Sequence, residues 1–281
     1  MDRLRDRYYG LLVGGAIGES IGASGTGAWG WRTAVGICLA KGLLEGSEPL
    51  EFYNKLCFAD EMVGRTEARD RDPDTVTVCH QQDHVHTCNC MSLVRAGVVA
   101  LRYFEDYESL LQVAHMQSLE THECALCAEA CKLFASVLDS ALHGRRKNEI
   151  LASEFYGNLS LNPSFSAIWP GAPAELTTPQ QPLAKPLNAI KVVLSVFKQT
   201  NNFTEGLTQI TAETGRRSDE ALLYGQLAGA YYGLTDIKES LIDQLERGDA
   251  LLDMADALLA DLSEEVTATA ATVAATTTNN V

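Results

Sequence analysis

The sequence predicts an all-α protein that forms a single compact helical domain. Apolar residues recur at helical spacing through most of its 281 residues, and no sustained alternation indicates a sheet. The ending, TATAATVAATTTNNV, has neither charge nor aromatic residue, so we expect an Ala/Thr-rich tail without fixed structure. We therefore predict a helical domain over residues 1–262 and a disordered tail over 263–281.

Glycine, proline and polar breaks divide this pattern into helices. The predicted helices span 8–23, 33–44, 49–63, 91–103, 107–117, 122–143, 147–159, 187–198, 203–214, 219–232 and 237–262. Residues 64–90 lack periodicity and predict a long surface loop. Residues 160–186 hold most of the eight prolines, which predicts an irregular excursion.

Composition and charge exclude several classes of protein. With 46% hydrophobic residues and a net charge of -15, the chain suits a globular domain and disfavours a nucleic-acid partner. The segment MDRLRDRYYG offers no apolar signal region, and no apolar run reaches membrane length. We expect a cytoplasmic protein whose eight cysteines are reduced thiols.

The first predicted helix carries a pattern of small residues, YYGLLVGGAIGESIGA. This stretch resembles the opening of the ADP-ribosylglycohydrolases, which include the dinitrogenase-reductase-activating type and begin with G-x-x-x-G-x-A-x-G-D-A-x-G. Gly14, Ala16, Gly18 and Gly22 fit that pattern, whereas Glu19 stands where the family usually has aspartate. The resemblance implies an all-α fold.

The second predicted helix follows GAWGWRTAVG, which resembles the W-T-D-D-T segment of the same family. Trp29 matches the tryptophan and Gly30 the first threonine. Trp31 and Arg32 stand at the aspartate pair, and Thr33 matches the second threonine. Neither aspartate of this segment is therefore present.

The closing motif of the family, G-G-D-x-D-T before a helix, is similar to TGRRSDEALLYGQLAGAYYG at residues 214–233. Gly215 matches the second glycine. Arg216 and Ser218 stand at the two aspartates, and Asp219 stands at the threonine. A fourth segment, THECALCAEACKLFASVL, resembles the family's Thr-His helix.

The resemblance implies a site for two magnesium or manganese ions that supports cleavage of an N- or O-glycosidic bond at ribose. Such ions need grouped carboxylate and hydroxyl oxygens. None of the four expected aspartates is in register here, so we expect no magnesium or manganese at the family site and no cofactor.

Arg32 and Arg216 leave three interpretations open. They can form a metal-free pocket for an anion, because arginine binds phosphate and carboxylate in a bidentate manner. They can instead mark a decayed site, in which each arginine turns outward or pairs with Glu19, Asp219 or Glu220. A displaced metal site that uses Glu19 and Asp219 is the third interpretation.

Cysteines and histidines are concentrated in CHQQDHVHTCNC, within the predicted loop. These groups can bind zinc or copper, although their spacing is not that of a zinc finger. A polar loop with reduced thiols is the alternative. The candidate zinc ligands are Cys79, His80, His84, His86, Cys88 and Cys90.

Two further positions are weaker candidates for ligand contacts. His122 matches the Thr-His pair of the family, or serves as a hydrogen-bonded structural histidine. Arg95 belongs to an imperfect match to the family's N-G-S-x-x-R segment, and either contacts a substrate phosphate or is an ordinary helix-surface arginine. Cys124, Cys127 and Cys131 follow helical spacing, which predicts one small-residue face of a buried helix.

The sequence therefore supports two functional hypotheses. The first is a non-catalytic relative of the ADP-ribosylglycohydrolases, a pseudoenzyme that binds a protein or an anionic, nucleotide-like ligand such as ADP-ribose. The second is a hydrolase with an altered site, in which Glu19 or Asp219 acts as the base. The predicted ligand-binding residues are Arg32, Thr33, Arg95, His122, Arg216, Ser218 and Asp219.

Overall fold

The fold is all-α, as the sequence predicts. The computed structural model describes residues 2–20, 27–46, 90–121, 124–172, 183–215 and 218–262, and the regular structure in these ranges is entirely helical. The predictions for helix 49–63, for loop residues 64–89 and for the tail lie outside the described residues, as do His122 and Arg216.

The described residues contain eleven α-helices and four short 3₁₀ helices. The α-helices are α1 (Arg3–Ser20), α2 (Trp31–Leu44), α3 (Ala96–Arg102), α4 (Tyr107–Leu119), α5 (Ala125–Leu142), α6 (Lys147–Ile150), α7 (Lys185–Gln199), α8 (Phe203–Thr214), α9 (Asp219–Tyr232), α10 (Glu239–Ile242) and α11 (248–262). The 3₁₀ helices are Leu93–Arg95, Ser153–Tyr156, Pro163–Ile168 and Leu234–Asp236.

Helices α1 and α9 pack antiparallel at very short range. Gly10, Gly14 and Gly18 lie one helical turn apart on α1, and they face Gly229, Gly225 and Ala221 of α9 in reverse order. A Cβ atom at any of these three α1 glycines would overlap a backbone carbonyl oxygen of α9. This glycine interface, defined by the six residues, confirms that the small-residue pattern serves close backbone approach.

The core surrounds this helix pair. Helix α9 also packs against α5, α7 and α8, and α5 packs against α3 and α4. Phe134 and Leu138 of α5, and Leu223 and Leu227 of α9, are fully buried. These two helices therefore link the packing of the N-terminal and C-terminal parts of the domain.

Side-chain caps explain why several helices begin where the sequence predicts. The side chain of Asn202 accepts a hydrogen bond from Glu205 N at the start of α8, and that of Ser218 accepts from Ala221 N at the start of α9. Such caps satisfy amide groups that the first helical turn leaves without partners. The predicted spans 203–214 and 219–232 match α8 and α9.

The continuous helix predicted over 237–262 is wrong. The chain turns between α10 and α11, where Arg247 adopts a left-handed φ of 54°. Trp29 Nε1 donates to Glu246 O at 2.7 Å, and Glu246 N donates to Gly27 O at 3.0 Å. These bonds to a distant part of the chain replace helical hydrogen bonds in the turn.

The helix predicted over 147–159 is also shorter than expected. Helix α6 ends at Ile150 and a 3₁₀ helix follows. Tyr156 is buried there, donates its hydroxyl to Ile150 O at 3.1 Å and stacks on Trp169 with ring centroids 5.3 Å apart. Burial of Tyr156 against the partly buried Trp169 therefore accompanies the early end of α6.

Candidate functional site

The ends of four helices meet at one edge of the domain. The C-terminal turn of α1 lies against the first turns of α2, α7 and α9. Helix α1 contributes Glu19, and the other three helices contribute Arg32, Thr33, Lys185 and Asp219. We call these five residues the charged site. Four of them occupy or adjoin the positions that the sequence singled out, and Lys185 does not.

Glu19 acts as an external cap for α2. Its carboxylate accepts hydrogen bonds from Arg32 N at 3.0 Å, Thr33 N at 2.9 Å and Thr33 Oγ1 at 2.6 Å. The side chain is 4% exposed. The N-cap residue of α2, Gly30, has no side chain to do this. A negative charge at this position also interacts favourably with the helix dipole.

Gly30 and Glu19 depend on each other sterically. A Cβ atom at Gly30 would lie 2.7 Å from Glu19 Oε1, which is closer than real Cβ contacts. Any side chain at position 30 would therefore push the carboxylate away from the amides of α2. Two departures from the family pattern, glycine for threonine and glutamate for aspartate, are compatible with each other in this structure.

Asp219 lies between two cations. Arg32 Nε donates to Asp219 Oδ1 at 2.6 Å, and Lys185 Nζ lies 3.1 Å from Asp219 Oδ2. Arg32 Nη1 is also 3.9 Å from Glu19 Oε1. The formal charges of Lys185, Asp219, Arg32 and Glu19 alternate and sum to zero. Arg32 therefore pairs with acids, as the decayed-site interpretation expects.

Electrostatics keep Asp219 ionised. Burial raises its pKa, but the charges and hydrogen bonds of Arg32 and Lys185 outweigh burial and bring the pKa below its ordinary value. Cys90 contacts this carboxylate. Burial and then the charge of Asp219 raise the pKa of the Cys90 thiol well above its usual range. Cys90 is therefore held as a thiol, which is a poor nucleophile.

Ser218 has a structural role in the described residues. Its hydroxyl accepts from Ala221 N at 3.0 Å and lies 2.7 Å from Thr214 Oγ1. It thereby connects the end of α8 with the start of α9. Arg216 lies between these two anchored positions, outside the described residues.

Arg95 is not on the surface. It is 2% exposed, and its guanidinium donates to Gln117 Oε1 at 2.7 Å, Gln117 O at 2.8 Å and Thr121 Oγ1 at 2.8 Å. The interpretation of Arg95 as an ordinary helix-surface arginine is therefore wrong, because Arg95 ends the 3₁₀ helix Leu93–Arg95 and is buried against the C-terminal end of α4. Its predicted contact with a ligand stays a prediction.

The described residues do not include most of the candidate zinc loop. Of its six candidates, Cys79, His80, His84, His86 and Cys88 lie outside them, and Cys90 is buried beside Asp219. On α5, Cys127 and Cys131 are buried, as predicted for a small-residue helix face, and Cys124 is half-buried.

The charged site does not have the donor set that a pair of magnesium or manganese ions requires. Both oxygens of Asp219 face cations, and both oxygens of Glu19 accept from N–H or O–H donors. A divalent ion would have to displace Arg32 or Lys185, whose charges repel it. Over the described ranges, no group of three or more His, Cys, Asp and Glu side chains could hold a metal ion.

Sequence reasoning missed Lys185. It is the first residue of α7, after Ala184 and before Pro186, and it belongs to no motif of the resemblance. Its side chain is 53% exposed. It borders a surface groove of about 640 Å³ that Lys191, Asn188 and Ser195 also line. Only the packing of α7 against α9 reveals this second cation.

No helix in the described ranges combines the length and apolar character needed to cross a membrane.

Comparisons with known proteins agree with the fold. The sequence model of the ADP-ribosylglycohydrolase family matches residues 1–268. A solved structure titled "ADP-ribosylglycohydrolase-related protein complex" is 24% identical, with a TM-score of 0.76 over 92% of this chain and 98% of that chain. Among curated proteins, no sequence matches. The identity to the solved structure is low enough that it supports the fold alone.

Proposed function

The chain belongs to the ADP-ribosylglycohydrolase family, and we propose that it is a non-catalytic member that binds an anionic, nucleotide-like ligand. One observation carries the non-catalytic part. Where the family resemblance implies metal ligands, Asp219 is buried between Arg32 and Lys185, and Glu19 caps α2. Positive side chains thus pair with an acid of the aligned segments, which supports a site without divalent ions.

The two remaining acids are poorly suited to act as a base. A general base works best when its pKa lies near the working pH, whereas that of Asp219 is below its ordinary value. The carboxylate of Glu19 already accepts three hydrogen bonds. Neither Arg32 nor Lys185 can replace a metal ion as a Lewis acid that activates water. These points argue against the altered hydrolase.

The solvent-facing side of the charged site supports the binding part. The half-exposed side chain of Lys185 borders the groove, and Lys191, six residues further along α7, also lines it. The polar side chains of Asn188 and Ser195 add hydrogen-bonding groups, and among the described residues Glu213 is the acid that lines the groove. Phosphate groups of a nucleotide would gain charge-assisted hydrogen bonds from the lysines.

An activity assay tests the non-catalytic part. The protein would be incubated with ADP-ribosylated protein in buffer with magnesium, with manganese and with a chelator, beside an active metal-dependent glycohydrolase. We expect release of ADP-ribose from the active enzyme only. Release by this chain that increases with added metal would show that the proposal is wrong.

A separate titration tests the ligand. We expect ADP-ribose to release or absorb heat on binding in metal-free buffer, and Lys185→Gln to weaken binding by about ten-fold, since a charge-assisted contact contributes about 1.5–3 kcal/mol. Lys198→Gln is the matched control, because Lys198 is exposed on the same helix and does not line the groove. Absence of binding to the wild-type protein would refute the anionic ligand and leave a protein partner as the interpretation.

A further inference from the structure

A second pocket lies at the opposite end of α1 from the charged site. Near the start of α1, Arg7 Nη1 donates to Leu142 O at 2.9 Å, at the end of α5. Arg7 and Glu19 are twelve residues apart on α1, which corresponds to about 18 Å along a helix. Residues that follow α3, the end of α5 and the 3₁₀ helix Ser153–Tyr156 form the pocket walls. It is therefore separate from the site of the proposed function.

The pocket has the size of a small-molecule site and unusual exposed aromatic walls. Its volume is about 560 Å³, within the range of about 300–1,000 Å³ for ligand pockets. Tyr107 and Phe155 line it with exposures of 38% and 40%. Over the described ranges, Met116 is the other large apolar side chain that is exposed. Water-facing aromatic rings gain free energy when a ligand covers them.

One aromatic wall already holds a cation. The guanidinium carbon of Arg145 lies 5.1 Å from the centroid of the Phe155 ring. On the other wall, the ring of Phe104 is covered by His143 in a stacked arrangement with centroids 4.0 Å apart. A ring that accepts the positive charge of Arg145 can accept that of a ligand by the same attraction to its π face.

The charges of the pocket favour a positive ligand. Glu105 and Glu154 are exposed and line the pocket, and in the part of the chain that the structure describes neither forms an ion pair. The third acid, Asp139, lies 3.1 Å from His143 Nδ1. Glu105, Asp139 and Glu154 therefore outnumber Arg145 and His143, whether or not the imidazole carries a proton.

We propose that this pocket binds a substituted ammonium ion, with Tyr107 and Phe155 as its aromatic walls and Glu105 and Glu154 as its counter-charges. A small organic ammonium compound and a methylated lysine of a peptide share this chemistry. Arg145 competes with the ligand for the face of Phe155. The pocket is independent of the metal and anion chemistry at the charged site.

Ligand-observed NMR tests the proposal with two probes at constant chloride concentration. One probe is tetramethylammonium, whose methyl groups give a single resonance, and the other is a short peptide that carries trimethyllysine. We expect the methyl resonance of at least one probe to broaden on addition of the full-length protein. A lower dissociation constant for tetramethylammonium would identify a small molecule as the source, and a lower one for the peptide would identify a lysine side chain.

Charge variants at the pocket distinguish a specific site from general attraction to an acidic protein. The double variant Glu105→Gln/Glu154→Gln should raise the dissociation constant about ten-fold. Glu108→Gln should leave it unchanged, because Glu108 is an exposed acid on the adjacent turn of α4 that does not line the pocket. Arg145→Gln should lower the dissociation constant, since it removes the competing cation.

The four substitutions in these three variants replace exposed side chains, so thermal unfolding should show that each variant stays folded. Absence of broadening with both probes would overturn the proposal. Equal broadening by the wild-type protein and the Glu105→Gln/Glu154→Gln variant would also overturn it, because the attraction would then be non-specific.

Discussion

The glycine interface and the charged site belong to the same two helices, yet they tolerate change differently. Along the middle of α1 and α9, backbone atoms of the two helices meet with no room for a Cβ atom. At the C-terminal end of α1, Glu19 accepts hydrogen bonds from the backbone amides of Arg32 and Thr33, and Asp219 accepts one from the side chain of Arg32. Steric contact leaves room for glycine alone at Gly10, Gly14 and Gly18, whereas the charged site requires mainly a balance of charge.

This difference explains how the family fold persists without the acids that the family resemblance implies. The helix pair is held by close packing that does not involve a metal ion. At its end, Arg32 and Lys185 neutralise the acids that remain. The chemistry of the site can thus change while the packing of α1 against α9 is retained.

The largest expected loss in the free energy of unfolding comes from a substitution at the glycine interface. In Gly14→Ala, the new methyl group would overlap Gly225 O and lie 2.9 Å from Phe203 Cε2. Because a backbone atom cannot move aside as a flexible side chain can, the substitution should lower the free energy of unfolding by about 3 kcal/mol. Urea denaturation of the variant measures this loss.

Gly42→Ala is the control for helix propensity. Gly42 also lies within a helix, α2, but no atom of the described residues would lie within 4 Å of a Cβ atom there. Alanine is favoured over glycine in a helix, so this variant should gain up to about 1 kcal/mol. A similar loss in both variants would mean that short-range packing does not explain the effect at Gly14.

The next largest loss of stability is expected at the buried ion pair of Arg32 and Asp219 in the charged site. Removal of the guanidinium in Arg32→Ala leaves Asp219, which is 6% exposed, with Lys185 as its remaining cation contact among the described residues. We expect a loss of about 2 kcal/mol in the free energy of unfolding, because the hydrogen bond to a buried carboxylate is lost. A gain in stability would show that Arg32 is strained by repulsion from another cation, as an anion pocket would require.

An exposed pair of similar geometry provides the matched control. Arg5 and Asp256 approach to 2.6 Å, as Arg32 and Asp219 do, but their side chains are 49% and 40% exposed. Solvent screens such a pair. Arg5→Ala should therefore lower stability less than Arg32→Ala in the same urea series, and an equal loss would contradict the importance of burial.

A smaller effect is expected in the pH dependence of stability. The pKa of Asp219 is lower in the folded protein than its ordinary value, so the folded state binds this proton less readily than the unfolded state does. The contribution of Asp219 is complete above the unfolded pKa, about 3.9, and is lost as pH falls through the folded pKa. Urea midpoints of wild type and Asp219→Asn should therefore converge in acid. A constant difference between them at every pH would contradict the shift.

The smallest effect on stability is expected at Lys185. Its side chain is 53% exposed, so solvent screens its attraction to Asp219, and Lys185→Gln should lower the free energy of unfolding by less than about 1 kcal/mol. The same variant should weaken ADP-ribose binding as proposed above. A large loss of stability would make Lys185 a structural residue rather than a ligand-binding one.

The sequence was sufficient for features that depend on local spacing. Apolar periodicity predicted the all-α fold and the spans of α8 and α9, whose first turns are capped by Asn202 and Ser218 in the structure. The small-residue pattern of the first helix recurs in α9, and these two helices pack together at the glycine interface. The aligned motifs also brought Glu19, Arg32, Thr33 and Asp219 into one candidate site.

Tertiary structure alone decided the features that depend on long-range contacts. The turn at Arg247 exists because Trp29 and Gly27 bond to Glu246, more than 200 residues away. Lys185 entered the charged site because α7 packs on α9, and Arg95 is buried because α4 supplies its acceptors. Helical periodicity in a sequence predicts that a segment forms a helix and which face of that helix is buried. It does not report which distant charges meet at the helix ends, since that depends on how the helices are packed.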